Sequence, residues 1–161
     1  MSEKPKVRTC LWFEANGEEA ARFYVSLLPD SHLETPSGSR GEGPPLVVKF
    51  TLAGAPYMIL NGGPHYKLSP AASIAVSTGD QEETDRLWDA LIADGGEEGR
   101  CAWLIDRFGV SWQIVPEALP RLMGAGDEAA AGRVREAMMA MKKIDIAGLE
   151  AAFRGEAESA E

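Results

Sequence analysis

The feature that most constrains the fold is a repeat within the chain. Two amphipathic helical patterns, Glu18–Leu28 and Glu82–Ile92, match each other at an offset of 64 residues, and the later positions Ile59 and Ile114 match at an offset of 55. The second copy is therefore nine residues shorter, which agrees with the lack of a counterpart to the polar loop Pro36–Pro45. A repeated order and spacing of this kind predicts two copies of one structural unit.

Each copy has the pattern of one strand, one helix and three further strands. The strand patterns of the first copy are Val7–Glu14, His32–Glu34, Leu46–Leu52 and Pro56–Asn61, and the second copy opens with Ser73–Val76. We therefore predict an α+β fold of duplicated βαβββ modules, residues 7–61 and 71–116. The curled mixed sheets of such a protein are expected to enclose a cleft, where a small ligand would bind.

A helical extension is predicted after the two modules. The modules are expected to form a domain over residues 1–118, followed by helices within 119–155 and a frayed tail at 156–161. Asp127 is a candidate N-cap for a helix that runs to about Lys143, and a final helix is expected from Asp145 to a stop at Gly155.

The first of these long helices carries an apolar stripe of Ala130, Val134, Met138 and Met141. Such a stripe favours packing in a core or against a partner subunit over an adaptable ligand surface. The sequence leaves open whether the helices pack within the chain or across a dimer. Because exposed sheet edges need cover and twofold dimers are the commonest assembly, we expect a homodimer.

Charge and composition exclude several classes of protein. Lys and Arg number 16 against 25 Asp and Glu, and a net charge of −9 is unsuited to a nucleic-acid partner. The sequence shows neither a signal peptide nor an apolar run of membrane-spanning length, so we expect a cytoplasmic protein with no membrane partner. Cys10 and Cys101 each lie in an apolar segment, which predicts buried thiols and no disulfide framework.

The chain resembles a known family in four segments. They are Leu11-Trp12-Phe13 with Glu18–Tyr24, Leu60-Asn61-Gly62-Gly63-Pro64, Asp106–Pro116, and Ala137–Met141 leading into Lys143–Ile146. These segments resemble the PhnB-like, or 3-demethylubiquinone-9 3-methyltransferase, family of the vicinal oxygen chelate superfamily. The resemblance runs from about Thr9 to Phe153 and implies a glyoxalase-like fold. The chain departs from the family pattern at Thr78, Ala102 and Ile105.

The resemblance also implies where a metal ion would bind in metal-dependent relatives. Their four ligands would fall on Thr9, Met58, Ser73 and Gln113. Only Gln113 has a suitable ligand atom, because such ions prefer imidazole or carboxylate. We therefore expect neither a metal nor another cofactor. His65 has two interpretations, a base at the rim of the cleft or a solvated loop histidine, and the second is favoured.

The methyltransferase part of the family name finds no support in the motifs of the chain. No glycine-rich turn opens a helix after a strand, as the usual S-adenosylmethionine site requires, and Gly62-Gly63 is too short to cradle a phosphate. Whether the protein is an enzyme stays undecided at this point.

Strand alternation from the four implied positions predicts a mostly apolar cleft. Its candidate residues are Thr9, Leu11, Phe13, Met58, Leu60, Ser73, Ala75, Gln113 and Val115, with Asn61, His65, Tyr66 and Trp103 at the rim. Trp12, Tyr57 and Trp112 are then expected to face the covering helices. We predict a protein that binds a small, largely apolar molecule without metal. The alternatives are a metal-dependent glyoxalase, dioxygenase or thiol transferase and a ligand-free structural dimer.

Overall fold

A computed structural model describes residues 4–34 and 43–156. It divides into two compact units, Met1–Leu68 and Ser69–Glu161. Most of the predicted loop Pro36–Pro45 and all of the predicted tail except Glu156 lie outside the described residues.

The first unit contains one helix and a four-stranded mixed sheet. Its elements are β1 (Thr9–Phe13), α1 (Gly17–Leu27), β2 (His32–Leu33), β3 (Val47–Leu52) and β4 (Ala55–Asn61). The strand order is β1-β4-β3-β2, with β1 parallel to β4 and the other neighbours antiparallel. Strands β3 and β4 form an antiparallel hairpin whose tip is Ala53-Gly54, both with positive φ.

Helix α1 covers one face of this sheet because its apolar residues recur at helical spacing. It packs against β3 and β4 and buries Tyr24 completely. Phe50 and Ile59, on the covered face, are also fully buried. Gly17 begins the helix at a point where a Cβ atom would lie 2.4 Å from the side chain of Ile59, so a larger residue does not fit there.

The second unit repeats the arrangement of the first. Its module consists of β5 (Ser73–Thr78), α2 (Gln81–Ile92), β6 (Glu97–Glu98), β7 (Trp103–Ile105) and β8 (Ser111–Pro116). The strand order is β5-β8-β7-β6, and β5 is parallel to β8. Each module therefore has the same order of elements and the same strand order. The predicted duplication of a βαβββ module is confirmed.

Helix α2 covers one face of the second sheet. Asp80 caps it by accepting a hydrogen bond from the backbone N–H of Glu83 at 2.8 Å. The helix packs against β5, β7 and β8, and it buries Leu87, Trp88 and Leu91.

Three helices follow the second module. They are α3 (Ala118–Ala125), α4 (Glu128–Met139) and α5 (Ile146–Arg154). The predicted caps are confirmed, since Asp127 accepts from the N–H of Ala130 at 2.9 Å and Gly155 ends α5 at a φ of 75°. Helix α4 ends at Met139, before the predicted Lys143.

The early end of α4 has a structural reason. The backbone N–H groups of Cys101 and Ala102 donate to the carbonyls of Met141 and Lys142 at 2.9 and 3.0 Å. Residues 141–142 therefore pair with the segment before β7 and cannot continue the helix.

The C-terminal helices pack on the second module of their own chain. Ala102, Leu122, Val134, Ile144 and Leu149 form one buried cluster, and Met138 and Met141 pack against it. The apolar stripe of α4 is thus core packing, as its pattern favoured. Across residues 4–34 and 43–156, no helix is long and apolar enough to span a membrane.

Candidate functional site: the open faces of the two sheets

Each sheet has a second face that lies opposite its covering helix. In the first sheet, cross-strand partners place Cys10 beside Met58 and Trp12 beside Leu60. We call this surface the first open face. It is defined by Cys10, Trp12, Val47, Lys49, Met58 and Leu60.

Three of the predicted cleft residues lie on the other side of this sheet. Thr9, Leu11 and Phe13 pair with Tyr57, Ile59 and Asn61 and so share the face that α1 covers. Leu11 and Phe13 are buried there, with 8% and 5% of their surface exposed. The prediction that these residues share a face with Met58 and Leu60 is wrong.

The cause is the length of one connector. Three residues, 14–16, join β1 to α1, whereas only two, 79–80, join β5 to α2. The helices α1 and α2 correspond at an offset of 64 residues, but the strands β1 and β5 correspond at an offset of 65. Cys10, and not Thr9, is therefore the residue of β1 that corresponds to an open-face residue of β5. A shift of one residue moves every side chain of a strand to the opposite face.

The second open face agrees with the sequence prediction. Cross-strand partners place Ser73, Ala75, Gln113, Val115 and Trp103 on one face. The same face also carries Ser77, Ser111, Ile105 and Glu97, which were not predicted from the sequence. The pairing of β5 with β8 identifies the two serines, and the pairings of β7 with β8 and β6 identify Ile105 and Glu97. Strands β6 and β7 are only two and three residues long and therefore hard to recognise from sequence periodicity.

The polar groups that β5 and β8 contribute to the second open face are neutral. Gln113 Nε2 donates a hydrogen bond to Ser73 Oγ at 2.9 Å. Ser111, directly opposite Ser73, is 3% exposed, and its Oγ has no hydrogen-bond partner within the described residues. None of the eight residues that β5, β7 and β8 place on this face is ionisable. The face thus combines hydrogen-bonding groups with apolar surface, and its charged residue, the exposed Glu97, lies on the edge strand β6.

One end of this face is occupied by the C-terminal helices. Val115 packs against the buried cluster that includes Ala102 and Leu122. The exposed residues of the face include Ala75 and Ser77 on the edge strand β5, whereas Gln113 and Trp103 are half-buried.

The aromatic side chains divide between the two sides of the sheets. Trp12 lies on the first open face, so the prediction that it faces the helix is wrong, for the same one-residue shift. The Nε1 of Trp12 donates a hydrogen bond to the carbonyl of Gly63 at 2.9 Å. The ring of Tyr66 is edge-on to the Trp12 ring, with the ring centroids 4.9 Å apart. The predicted orientation is confirmed for Tyr57 and Trp112.

Tyr57 and Trp112 each belong to the interior of their unit. Tyr57 stacks on Phe50 with ring centroids 5.4 Å apart, and burial raises the pKa of its hydroxyl above the usual value of 10.0. Trp112 is 1% exposed and donates from Nε1 to Asp106 Oδ2 at 2.9 Å.

The two rim candidates next to β4 have different surroundings. Asn61 Oδ1 accepts from the backbone N–H of Gly17 at 2.9 Å, and Nδ2 donates to the carbonyl of Pro45 at 2.9 Å. Both bonds hold the start of α1 and the approach to β3 in place, so the side chain serves the fold. His65 is exposed in the segment after Gly63.

The cysteines differ from the prediction. Both are free, Cys10 is exposed and Cys101 is half-buried. The prediction of a buried thiol is wrong for Cys10 because its side chain is on the first open face.

A divalent metal ion does not fit the donors of the open faces. On the second face the candidate ligands are a hydroxyl and a primary amide that already bond to each other. Cys10 and Met58, the paired donors of the first face, are one thiol and one thioether, which is fewer than the three or four protein ligands that a bound Zn²⁺ takes. The described parts of the chain contain no group of three His, Cys, Asp or Glu that could hold a metal.

Comparison with known proteins identifies the family. A model of the 3-demethylubiquinone-9 3-methyltransferase family matches residues 5–115. The chain belongs to this family. A PhnB protein from Bacillus cereus, described as a member of the same family, is 30% identical. The alignment covers 70% of this chain and 99% of that protein, with a TM-score of 0.60.

Two further solved structures support the fold. Protein PA1353 from Pseudomonas aeruginosa is 22% identical, with 71% of this chain and 98% of that one covered and a TM-score of 0.56. The fosfomycin resistance protein FosX from Listeria monocytogenes is 14% identical, with coverages of 71% and 91% and a TM-score of 0.50. Family and fold together place the chain in the vicinal oxygen chelate superfamily, as its motifs predicted. A search of curated proteins gave no match.

The family match also marks what is additional in this chain. It ends at residue 115, within β8, so α3, α4 and α5 lie beyond it. The helices that cover Val115 are therefore outside the part of the chain that the 3-demethylubiquinone-9 3-methyltransferase model describes.

Proposed function

We propose that the second open face binds a small, largely apolar molecule without a metal ion. The observation that supports this most directly is the combination of Ala75, Trp103 and Ile105 with the hydrogen-bonded pair Gln113 and Ser73 on one face. Apolar surface with a few convergent polar groups is typical of small-molecule sites, where the apolar part contributes affinity and the polar groups fix orientation.

Binding is the activity that these residues support. A reaction on this face would need a group that transfers a proton, attacks the substrate or holds a cation. On β5, β7 and β8 its side chains are two aliphatic residues, an alanine, an indole, three serine hydroxyls and one amide, and none of them is ionisable. The carboxylate of Glu97 lies on the edge strand β6, two strands away from Gln113. The methyltransferase in the family name is accordingly not part of this proposal.

Heteronuclear NMR during titration with a library of small neutral aromatic compounds tests the proposal. We expect chemical-shift changes to concentrate on β5, β7 and β8. Ala75→Arg places a charge on an exposed position of the face and should weaken binding at least tenfold, because a charge there must lose water when an apolar ligand binds.

The matched control is Ala93→Arg, which puts the same charge on an exposed residue just after α2. It should leave binding unchanged. Equal binding to the Ala75→Arg variant and the native protein would contradict the proposal. So would shift changes confined to the surface between the first turns of α2, α3 and α5.

The metal-dependent alternative is tested separately. Native protein purified without chelators and dialysed would be analysed for bound metal. We expect less than a tenth of an equivalent. A stoichiometric ion that survives dialysis would favour the glyoxalase or dioxygenase type of enzyme.

We further propose that the protein is a homodimer. Strands β1 and β5 each pair with one neighbour within their sheet, and such edges are commonly covered by a partner chain. Light scattering coupled to size-exclusion chromatography would give twice the 17.3 kDa mass of the chain if this is right. A monomer at micromolar concentration would contradict it.

A further inference from the structure

Ser111 holds a buried polar group whose hydrogen bonding the described residues leave unsatisfied. The residue is 3% exposed, its Oγ atom is buried, and none of the described residues bonds to it. A hydroxyl in this state has lost its hydrogen bonds to water without replacing them, which costs stability. Buried groups of this kind are rare in folded proteins, and a ligand is one of the partners that can satisfy them.

The position of Ser111 within the second open face indicates which kind of ligand that is. Ser73 on β5 and Ile105 on β7 are its cross-strand partners, and Gln113 follows on the same face of β8. Gln113 uses Nε2 to donate to Ser73 Oγ at 2.9 Å. That single bond leaves the amide oxygen of Gln113 as an acceptor and the hydroxyl hydrogen of Ser73 as a donor.

We infer that the ligand of this face carries a neutral group that both donates and accepts hydrogen bonds, such as a carboxamide, and that Ser111 Oγ is one of the atoms that recognises it. The inference rests on the proposed binding function of the second open face. It makes Ser111 a specificity-determining residue.

Other ligand classes fit these residues less well. A carboxylate would meet the lone pairs of the Gln113 oxygen. Among the described residues that strand pairing places on this face, none supplies a positive charge, and Glu97 at the edge supplies a negative one. A hydrocarbon would leave the Ser111 hydroxyl unpartnered. A carboxamide satisfies donor and acceptor positions together, while its apolar part rests on Trp103 and Ala75.

Since Ser111 Oγ is buried, a ligand group reaches it only when a neighbouring side chain moves to another conformation. Ser73, Ile105 and Gln113 are half-buried neighbours on the same face. Binding should therefore change the environment of the Gln113 side-chain amide as well as that of Ser111.

The test compares three probes of similar shape by ¹⁵N-detected NMR titration. Benzamide is neutral and polar, benzoate is anionic, and ethylbenzene is apolar. On the native protein we expect benzamide to bind at least tenfold more tightly than either other probe, with shifts at the Gln113 amide and the Trp103 indole N–H. In Ser111→Ala, the preference of benzamide over ethylbenzene should fall to less than threefold.

Stability separates recognition from a structural role. Removing a hydroxyl that has no partner should leave the midpoint of thermal unfolding of Ser111→Ala unchanged or raise it. Ser26→Ala is the matched control, because Ser26 is an exposed serine on α1 of the first unit and is not part of the second open face. This control should keep the tenfold preference for benzamide.

The outcomes distinguish the inference about Ser111 from the proposed binding function. Equal binding of benzamide and ethylbenzene to the native protein overturns the inference and leaves the proposed binding function standing. Failure of all three probes to shift the face at millimolar concentration overturns both. A Ser111→Ala protein that loses stability or folding, or that keeps the full preference, also overturns the inference.

Discussion

Gln81 and Ile146 connect the second module to the last helix of the chain. The side-chain Oε1 of Gln81 accepts from the backbone N–H of Ile146 at 2.8 Å, while its Nε2 donates to the carbonyl of Ile144 at 3.0 Å. One amide in the first turn of α2 thus satisfies two backbone groups at the start of α5. We expect Gln81→Ala to destabilise the protein by about 1–3 kcal/mol, because two backbone groups lose their partner.

Denaturant unfolding and amide hydrogen exchange check this prediction. The N–H of Ile146 should lose protection in Gln81→Ala, while amides of the first sheet keep theirs. Glu82→Ala, a change at the exposed neighbouring position, is the control and should have little effect on stability. Unchanged protection at Ile146 would show that the hydrogen bond does not hold α5.

The sequence predicted the architecture well because duplication is a strong constraint. Two helical patterns at one spacing, each preceded by an apolar strand, require two similar modules, and both sheets have the same strand order. The cap of α4 at Asp127 and the end of α5 at Gly155 were also predictable, because each depends on the chemistry of one residue.

The faces of the first sheet were not predictable from the same repeat. Helix alignment does not reveal a single extra residue between a strand and its helix, yet that residue decides which side of β1 is buried. The mixed pattern of Thr9 to Phe13, apolar at four of five positions, gave no independent signal. Only the pairing of Cys10 with Met58 resolves it.

Hydrogen bonds to the backbone were equally hidden from sequence patterns. Asn61 reads as a polar residue near a cleft, but its partners Gly17 and Pro45 are 44 and 16 residues away along the chain. Ser111 is the reverse case. Its sequence context indicates an ordinary strand residue, and only the structure shows that its buried hydroxyl has no hydrogen-bond partner within the described residues.

The turn between β3 and β4 holds a non-glycine residue in a left-handed conformation. Ala53 has a φ of 47° and is exposed. We expect Ala53→Gly to stabilise the protein by about 0.5–1 kcal/mol, because the strain on Cβ disappears. The same change at Ala55, the exposed first residue of β4, should instead destabilise it. Equal effects in thermal unfolding would contradict this explanation.

Asp106 organises the hairpin between β7 and β8 from a buried position. The carboxylate accepts from the backbone N–H of Phe108 and Val110 at 2.8 and 3.0 Å and from the indole of Trp112 at 2.9 Å. In Asp106→Asn, the NH₂ group replaces one carboxylate oxygen and would face one of these N–H donors, so that at least one hydrogen bond is lost. We expect a loss of about 1.5–3 kcal/mol in the free energy of unfolding, the range for hydrogen bonds to a charged group.

Urea unfolding of Asp106→Asn measures this loss, and Glu117→Gln, at an exposed position, serves as the control. The indole N–H resonance of Trp112 should also move. A variant as stable as the native protein would mean that the hairpin does not depend on the charge of Asp106.

The two thiols should react at different rates. Cys10 is exposed on the first open face, whereas Cys101 is half-buried and its N–H bonds to the carbonyl of Met141 at 2.9 Å. We expect Cys10 to be alkylated by iodoacetamide at least tenfold faster in the folded protein, since access limits the reaction. Peptide mapping by mass spectrometry gives both rates, and urea-unfolded protein provides the reference. Equal rates in the folded state would contradict the assignment of Cys10 to an exposed face.

The ion pair between Asp85 and Lys143 predicts how stability depends on pH. Lys143 Nζ lies 3.0 Å from Asp85 Oδ1. The hydrogen bond from Gln81, followed by that from Lys143, lowers the pKa of Asp85 below 3.8, and the hydrogen bond to Asp85 raises the pKa of Lys143 above 10.5. Both side chains are about a third or more exposed, so we expect the pair to contribute less than about 1 kcal/mol.

The sign of each shift fixes the pH range of this contribution. The lowered pKa of Asp85 stabilises the fold at pH values above the pKa of the carboxyl in the unfolded chain, and this stabilisation is lost as the pH falls through the folded-state pKa. The raised pKa of Lys143 stabilises the fold at pH values below 10.5, and this stabilisation is lost as the pH rises through the folded-state pKa of the lysine. The difference in unfolding free energy between native protein and Asp85→Asn should therefore be constant from roughly pH 5 to 9 and shrink on both sides. Glu82→Gln, at an exposed position in the first turn of the same helix, should show no such profile. A difference in unfolding free energy that grows toward acid pH would show that this ion pair does not stabilise the contact between α2 and the segment before α5.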